Sequence, residues 1–120
     1  MKVKATVICE RDKHILLVRK SKSKWALPGG KVEAGEAIVG AAARELQEET
    51  GLSSEQLLYI FEFDAGKTHH HVFEASVLDN TTATPKNEIT ECIWHPLSGL
   101  HDLDASDSTK SIARFFNRRL

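Results

Sequence analysis

Three glutamates within five residues are the side chains of this sequence best suited to chemistry. Glu45, Glu48 and Glu49 stand at positions i, i+3 and i+4, so on a helix their carboxylates are neighbours. Each like-charge pair at this spacing costs roughly 0.2–0.5 kcal/mol even in water, and burial raises both that cost and the pKa values. The cluster therefore favours a bound cation. Its oxygen-only ligands indicate a hard divalent ion, Mg²⁺ or Mn²⁺.

Two neighbouring features fit the same cation site. Arg44 lies four residues before Glu48 and can orient that glutamate through an ion pair along the helix. The run Pro28-Gly29-Gly30 predicts a bent backbone whose carbonyls can reach the same ion. A solvated acidic helix face is the alternative interpretation, and a pair of glutamates alone would favour it.

The elements that must position these residues are strands and two helices. Alternating hydrophobicity predicts strands over residues 3–9, 14–19, 58–64 and 68–78, with a short strand around 92–94. The period changes over residues 37–50, where a helix is predicted to bury Val39, Ala42, Ala43 and Leu46 and to stop at Gly51.

A second helix is predicted near the end of the sequence. Ser106 or Asp107 would cap it, and Ile112, Phe115 and Phe116 would face inward. The order of strands, helix, strands and helix predicts a mixed sheet with helices packed on its faces.

Composition restricts the class of protein. With 120 residues, 41% of them hydrophobic and 28% charged, the chain is expected to form one globular domain over residues 1–120, neither disordered nor embedded in a membrane. A net charge of −1 argues against a nucleic-acid surface. Cys9 and Cys92 are too few and too far apart for a disulfide framework or a zinc site. No secretory signal is visible, so a cytoplasmic protein is expected.

The segment from Gly30 to Leu52 resembles the Nudix box. Gly30 is followed after five residues by Glu36, and after seven more by the run Arg44-Glu45-Leu46-Gln47-Glu48-Glu49-Thr50-Gly51-Leu52, which agrees with the box at every defined position. The preceding run from Trp25 to Gly30, the strand order and the length are also similar to a minimal MutT-type Nudix domain. The resemblance implies an α/β (α+β) fold, an α/β/α sandwich with a mixed β-sheet flanked by helices.

The resemblance also implies an activity and a role for each residue of the box. Nudix hydrolases split a pyrophosphate linkage in a nucleoside diphosphate derivative with water and Mg²⁺, for which Mn²⁺ can substitute. Glu48 and Glu49 would be the principal metal ligands, and Glu45 a further ligand or the base that activates water. The remaining assignments are the Gly29 carbonyl as an additional ligand, Glu36 as support for the loop, Arg44 as the residue that orients the glutamates, and Gly51 as the end of the helix.

Candidates outside the box are less constrained. Some family members take a further metal ligand or base from a later loop, for which Glu88 is the candidate and Glu91 its competitor. Arg19 and Lys20, together with Gly30, are candidates for contact with the substrate phosphates, although the two basic residues also fit a solvated strand end.

Three other motifs also have simpler interpretations. In the run from His69 to His71 only the first and third residues share a face of a strand. Packed or hydrogen-bonded histidines are favoured over a metal site, and a pocket role for one of them, in contact with base or phosphate, is the open alternative. The Gly29-Gly30-Lys31 run lacks P-loop spacing. Aromatic residues suited to stacking on a nucleobase are Trp25, Phe61, Phe63 and Phe73.

The leading hypothesis is a Mg²⁺-dependent nucleotide pyrophosphohydrolase. The favoured substrate is a nucleoside triphosphate, ordinary or oxidised, cleaved to a monophosphate and pyrophosphate. Dinucleoside polyphosphates and nucleotide sugars are the alternative substrates, and a non-catalytic nucleotide sensor is the alternative of another class. The expected partner is a small nucleotide, without nucleic acid or membrane, and the chain is expected to be a monomer or a homodimer.

Overall fold

The computed structural model describes residues 1–119. Seven strands, two α-helices and one 3₁₀ helix follow one another along this part of the chain. In order they are β1 (Lys2–Ile8), β2 (Glu10–Arg11), β3 (His14–Lys20), β4 (Gly29–Lys31), α1 (Ile38–Thr50), β5 (Gln56–Asp64), β6 (Thr68–Ser76), β7 (Ile89–Pro96), the 3₁₀ helix (Leu97–Asp102) and α2 (Asp107–Asn117).

The strands form two sheets. The first has the order β4-β1-β6-β5, in which β1 and β6 are parallel and the other two pairs are antiparallel. The second is antiparallel and has the order β2-β3-β7. The predicted combination of a mixed sheet with helices is confirmed. The division of the strands into two sheets is not part of the prediction. The hydrophobic pattern also does not reveal the short strands β2 and β4, because strands of two or three residues carry no readable period.

The helices pack on two separate hydrophobic clusters, and β1 contributes to both. Ala5 and Val7 belong to the cluster that contains Leu46 of α1, whereas Ile8 belongs to the cluster that contains Phe116 of α2. Successive residues of a strand point to opposite faces of the sheet, so one strand supports both helices. Among the described residues, no helix is long and apolar enough to cross a membrane.

The buried face of α1 differs from the predicted stripe. Ala42 and Leu46 are buried as predicted, but Val39 and Ala43 are exposed. Positions 41 and 50 are buried in their place. The small side chains at positions 41 and 42 let the helix lie close to the sheet, and the buried stripe runs beside the glutamates rather than away from them. Glu45 and Glu49 of α1 are therefore half-buried.

Helix α2 is capped as predicted, but one of its aromatic residues faces outward. The Ser106 side chain accepts a hydrogen bond from the Thr109 N–H at 3.3 Å. Ile112 and Phe116 are buried, whereas Phe115 is 46% exposed. Adjacent helical residues point about 100° apart, so Phe115 and Phe116 cannot both face the same core.

Candidate active site

The three glutamates of α1 line one cavity of about 340 Å³ together with lysines from three strands. The Glu45 side chain is only 16% exposed, whereas that of Glu48 is 49% exposed, so the cluster extends from the core edge to solvent. The lining residues are the acidic Glu45, Glu48, Glu49 and Glu88, the basic Lys2, Lys4, Lys20 and Lys31, and the uncharged Gly29, Gly30, Asn87 and Ile89.

Arg44 links the acidic residues on one side of the cavity. Its guanidinium donates two hydrogen bonds to Glu36, from Nε at 2.7 Å and from Nη2 at 3.0 Å. Its Nη1 donates to Glu45 at 2.8 Å and to Glu48 at 3.3 Å. The hydrogen bonds from Arg44, followed by one from the Glu33 N–H, lower the pKa of Glu36 to about 2. The hydrogen bonds to Glu36 and then to Glu45 raise the pKa of Arg44. Glu36 is therefore a fixed anion that anchors the guanidinium beside the glutamates.

The two glycines before α1 are required by close contacts. A Cβ on Gly30 would lie 2.5 Å from the Glu45 Oε1, so the carboxylate occupies the space that a side chain would fill. Gly29 has a φ of +149°, and a Cβ there would lie 2.9 Å from the Thr6 Cα in β1. The backbone of β4 can thus lie against both β1 and the carboxylates.

Glu49 is an acid of the cavity whose pKa is raised well above its ordinary value. Burial raises the pKa of Glu49 to about 7, against the opposing effect of a hydrogen bond from the Gly29 N–H at 2.9 Å. The negative charge of Glu45 raises the pKa further, while Lys20 and Lys4 lower it. A carboxyl that is costly to ionise in the protein alone gains from a nearby cation.

Lys4 of β1 is the most buried cation of the cavity. Burial lowers the pKa of its ammonium group, and the negative charge of Glu49 partly restores it. Lys2 lies two residues earlier on the same strand, so both side chains point to the same face. Sequence reasoning missed both lysines, although their alternation with Val3 and Ala5 carries that signal.

The loop before β7 is attached to the carboxyl end of α1. The N–H groups of Thr84 and Lys86 donate to the carbonyls of Thr50 and Glu49, at 2.9 and 3.1 Å. The Asn87 Nδ2 donates to the Glu48 carbonyl at 2.7 Å. These are carbonyls that a helix end leaves without a partner inside the helix. The attachment places Glu88 in the cavity, where it forms an ion pair with Lys20 at 3.2 Å.

The other candidates are placed outside this cavity. The Arg19 guanidinium forms an ion pair with Glu91 and lies 4.4 Å from the centre of the Trp25 ring. Of the aromatic candidates for base stacking, Trp25 and Phe73 are buried, and Phe61 and Phe63 contact Phe115. Among the residues predicted to touch phosphates, Lys20 and Gly30 line the cavity and Arg19 does not.

The donor set fits the divalent ion expected from the sequence. Glu45 and Glu48 each bond Arg44 through one oxygen, and Glu49 bonds Gly29 through one oxygen. Within residues 1–119, the second oxygen of each of these carboxylates has no hydrogen bond or ion pair. Carboxylate oxygens from three residues that line one cavity are the kind of ligands that Mg²⁺ and Mn²⁺ take.

Comparison with known proteins agrees with this geometry. The family model described as the NUDIX domain matches residues 2–115. The chain belongs to the Nudix hydrolase family. A Nudix hydrolase of Bacillus subtilis, YvcI, is 31% identical over 87% of this chain and 71% of its own length. The m7GpppN-mRNA hydrolase NUDT17 of Xenopus laevis is 30% identical over 75% of this chain and 39% of its own length.

A solved structure supports the Nudix fold directly. The crystal structure of a Nudix hydrolase family member from Chromobacterium violaceum superposes with a TM-score of 0.85 and is 28% identical, covering 98% of this chain and 77% of that one. The predicted family, fold class and enzyme class, a Nudix hydrolase, are confirmed. The match to the frog relative spans about two-fifths of that protein's length.

We expect the Gly30→Ala substitution to disrupt the carboxylate cluster. The added Cβ would displace the Glu45 carboxylate, so Mn²⁺ should bind at least about tenfold more weakly, as measured by electron paramagnetic resonance titration. Gly40→Ala is the matched control because the nearest atom to its new Cβ lies at 4.0 Å, and it should leave binding unchanged while stabilising the helix by about 1 kcal/mol. Equal affinities in the two variants would contradict the assigned role of Gly30.

In the metal-free protein we expect the Glu49 carboxyl to titrate near pH 7. Its folded pKa lies above the ordinary value of 4.5, so the stability that it contributes is fully present below that value and is lost as the pH rises through about 7. Carboxyl ¹³C nuclear magnetic resonance measures the titration, and Glu49→Gln identifies the signal. Added Mg²⁺ should move the midpoint to lower pH. A midpoint at or below 4.5 without metal would show that burial does not govern this group.

Proposed function

We propose that this Nudix protein hydrolyses a pyrophosphate linkage in a nucleoside diphosphate derivative with Mg²⁺. The observation that carries the proposal is the composition of the cavity, in which four glutamates and four lysines face one another. Their formal charges cancel when all are ionised. A bound divalent ion leaves the cavity positive, so it would attract a polyphosphate anion.

The residues of the box and the preceding Gly29 have the following proposed roles. Glu48 and Glu49 would hold the metal, Glu45 would be a further ligand or the base that takes a proton from water, and the Gly29 carbonyl would be an additional ligand. Arg44, anchored by Glu36, keeps the carboxylates in place, and Gly51 ends α1 behind them. When bound there, a divalent ion would neutralise phosphate charge and make water a better nucleophile near neutral pH.

Glu88 is proposed as the additional ligand or base from outside the box. It is 78% exposed, and within residues 1–119 it forms an ion pair only with the exposed Lys20 side chain, so it can turn toward the substrate at little cost. The hydrogen bonds from its loop to the end of α1 keep it within the same cavity as the box glutamates. Glu91 is the weaker candidate because its carboxylate is paired with Arg19.

The proposed substrate is a nucleoside triphosphate, ordinary or oxidised, cleaved to a monophosphate and pyrophosphate. Lys2, Lys4, Lys20 and Lys31 would bind phosphate oxygens. Two neighbouring cavities of about 220 and 370 Å³ share Lys4 with the carboxylate cavity, which provides space for a nucleoside beyond the phosphates. Dinucleoside polyphosphates and nucleotide sugars are the alternative substrates, and the frog relative is named for hydrolysis of m7GpppN-mRNA.

A nucleotide panel with and without Mg²⁺ tests the proposal. Ordinary and oxidised triphosphates, dinucleoside polyphosphates and nucleotide sugars would be incubated with the protein, and the products identified by mass spectrometry. We expect Mg²⁺-dependent release of a monophosphate and pyrophosphate. Glu48→Gln should lower turnover by more than about 100-fold, beyond the loss typical of residues that only support metal ligands.

Glu55→Gln is the control for this experiment, since Glu55 is an exposed glutamate outside the cavity, and it should keep full activity. Unchanged turnover in Glu48→Gln, or hydrolysis without any divalent ion, would contradict the assigned metal ligands. Tight nucleotide and Mg²⁺ binding without turnover of any compound would instead favour a nucleotide sensor.

A further inference from the structure

A second group of metal-ligating side chains lies on the opposite edge of the mixed sheet. His69 and His71 of β6 and Glu62 of β5 each offer one ligand atom, and these atoms lie within 4.8 Å of one another. The His69 Nε2 is 2.9 Å from the Glu62 Oε1, and the His71 Nδ1 is 3.8 Å from the same oxygen. Histidine and carboxylate ligands thus converge on one point.

Strand geometry explains why only two of the three consecutive histidines take part. His69 and His71 point to one face of β6, as the alternation predicts. His70 points to the other face, where it is buried and its Nδ1 hydrogen-bonds the Thr6 hydroxyl at 2.8 Å. Glu62 joins the pair because the register places it directly opposite His71.

A fourth polar side chain borders the same point. The Tyr59 hydroxyl lies 2.8 Å from the His71 Nδ1, so a metal bound to this nitrogen would replace that hydrogen bond and leave the hydroxyl free to turn aside or enter the ligand set. The side chains of His69 and His71 are 24% and 15% exposed, and that of Glu62 is 59% exposed. An ion can therefore arrive from solvent without any opening of the fold.

The distances suit a transition metal. Zinc binds histidine nitrogen at about 2.0–2.1 Å and carboxylate oxygen at about 2.0–2.2 Å, so ligand atoms around a tetrahedral ion lie about 3.4 Å apart. The separations of 2.9 and 3.8 Å lie on either side of that value, so small side-chain rotations suffice. Two imidazoles with one carboxylate favour Zn²⁺, Ni²⁺ or Cu²⁺ over Mg²⁺.

We propose that His69, His71 and Glu62 form a Zn²⁺-class metal site that fastens the edge strand β5 to β6. The site is separate from the carboxylate cavity and independent of the proposed hydrolysis. His71 pairs with Ala5 of β1, and Ala5 pairs with Gly30 of β4. Two strand spacings, about 10 Å of sheet, therefore separate the backbone of His71 from that of Gly30.

Cobalt titration of the untagged protein tests this site. Millimolar Mg²⁺ is kept present so that the carboxylate cavity holds its hard ion, and Co²⁺ is added as the spectroscopic substitute for Zn²⁺. We expect one equivalent of Co²⁺ to produce visible absorption bands that Zn²⁺ abolishes. We also expect micromolar Zn²⁺, but not additional Mg²⁺, to raise the melting temperature.

Matched variants assign the bands to residues. His69→Asn and His71→Asn should each weaken Co²⁺ binding by at least about tenfold, whereas His101→Asn, an exposed histidine elsewhere, should have no effect. Glu48→Gln should keep the bands, which separates this site from the one used in hydrolysis. Absence of bands in the wild-type protein, or bands that persist in both β6 variants, would overturn the proposal.

Discussion

Glu45 lies three and four residues before Glu48 and Glu49 on one helix, and each pair of negative charges at those spacings costs roughly 0.2–0.5 kcal/mol even in water. The helix also turns two of them toward the core edge, and burial raises the pKa of Glu49 to about 7. Without a metal, the Arg44 guanidinium offsets part of the repulsion among these glutamates, because it donates hydrogen bonds to Glu45 and Glu48. The three glutamates line one cavity, and that is where a divalent ion would be held.

The backbone around α1 is shaped by the same constraint. Gly30 leaves room for the Glu45 carboxylate, and the Gly29 N–H donates to Glu49. At the other end of the helix, the loop before β7 bonds the last carbonyls and brings Glu88 to the cavity. Residues distant in sequence therefore lie around α1. Some contact the charged side chains on one face of the helix, and others donate hydrogen bonds to the carbonyls at its end.

The sequence predicts the box, its helix and most strands, because these depend on local spacing. Contacts between segments that are distant along the chain could not be predicted from the sequence. Arg19 is a reasonable phosphate ligand by type, yet it pairs with Glu91 and covers Trp25. Phe115 fits the apolar pattern of α2, yet Phe116 takes the core position. The pairing of Glu62 with two histidines depends on the β5–β6 register, which no local pattern specifies.

The most direct test of the account is the effect of Mg²⁺ on the stability of the protein, measured by urea unfolding at constant ionic strength. If a divalent ion relieves the repulsion among the box glutamates, Mg²⁺ should raise the unfolding midpoint as its concentration increases. Without Mg²⁺, Glu49→Gln should unfold at a higher urea concentration than the wild-type protein, since one buried charge has been removed. Added Mg²⁺ should raise its unfolding midpoint only a little. An unfolding midpoint of the wild-type protein that does not respond to Mg²⁺ would contradict the central role given to these carboxylates.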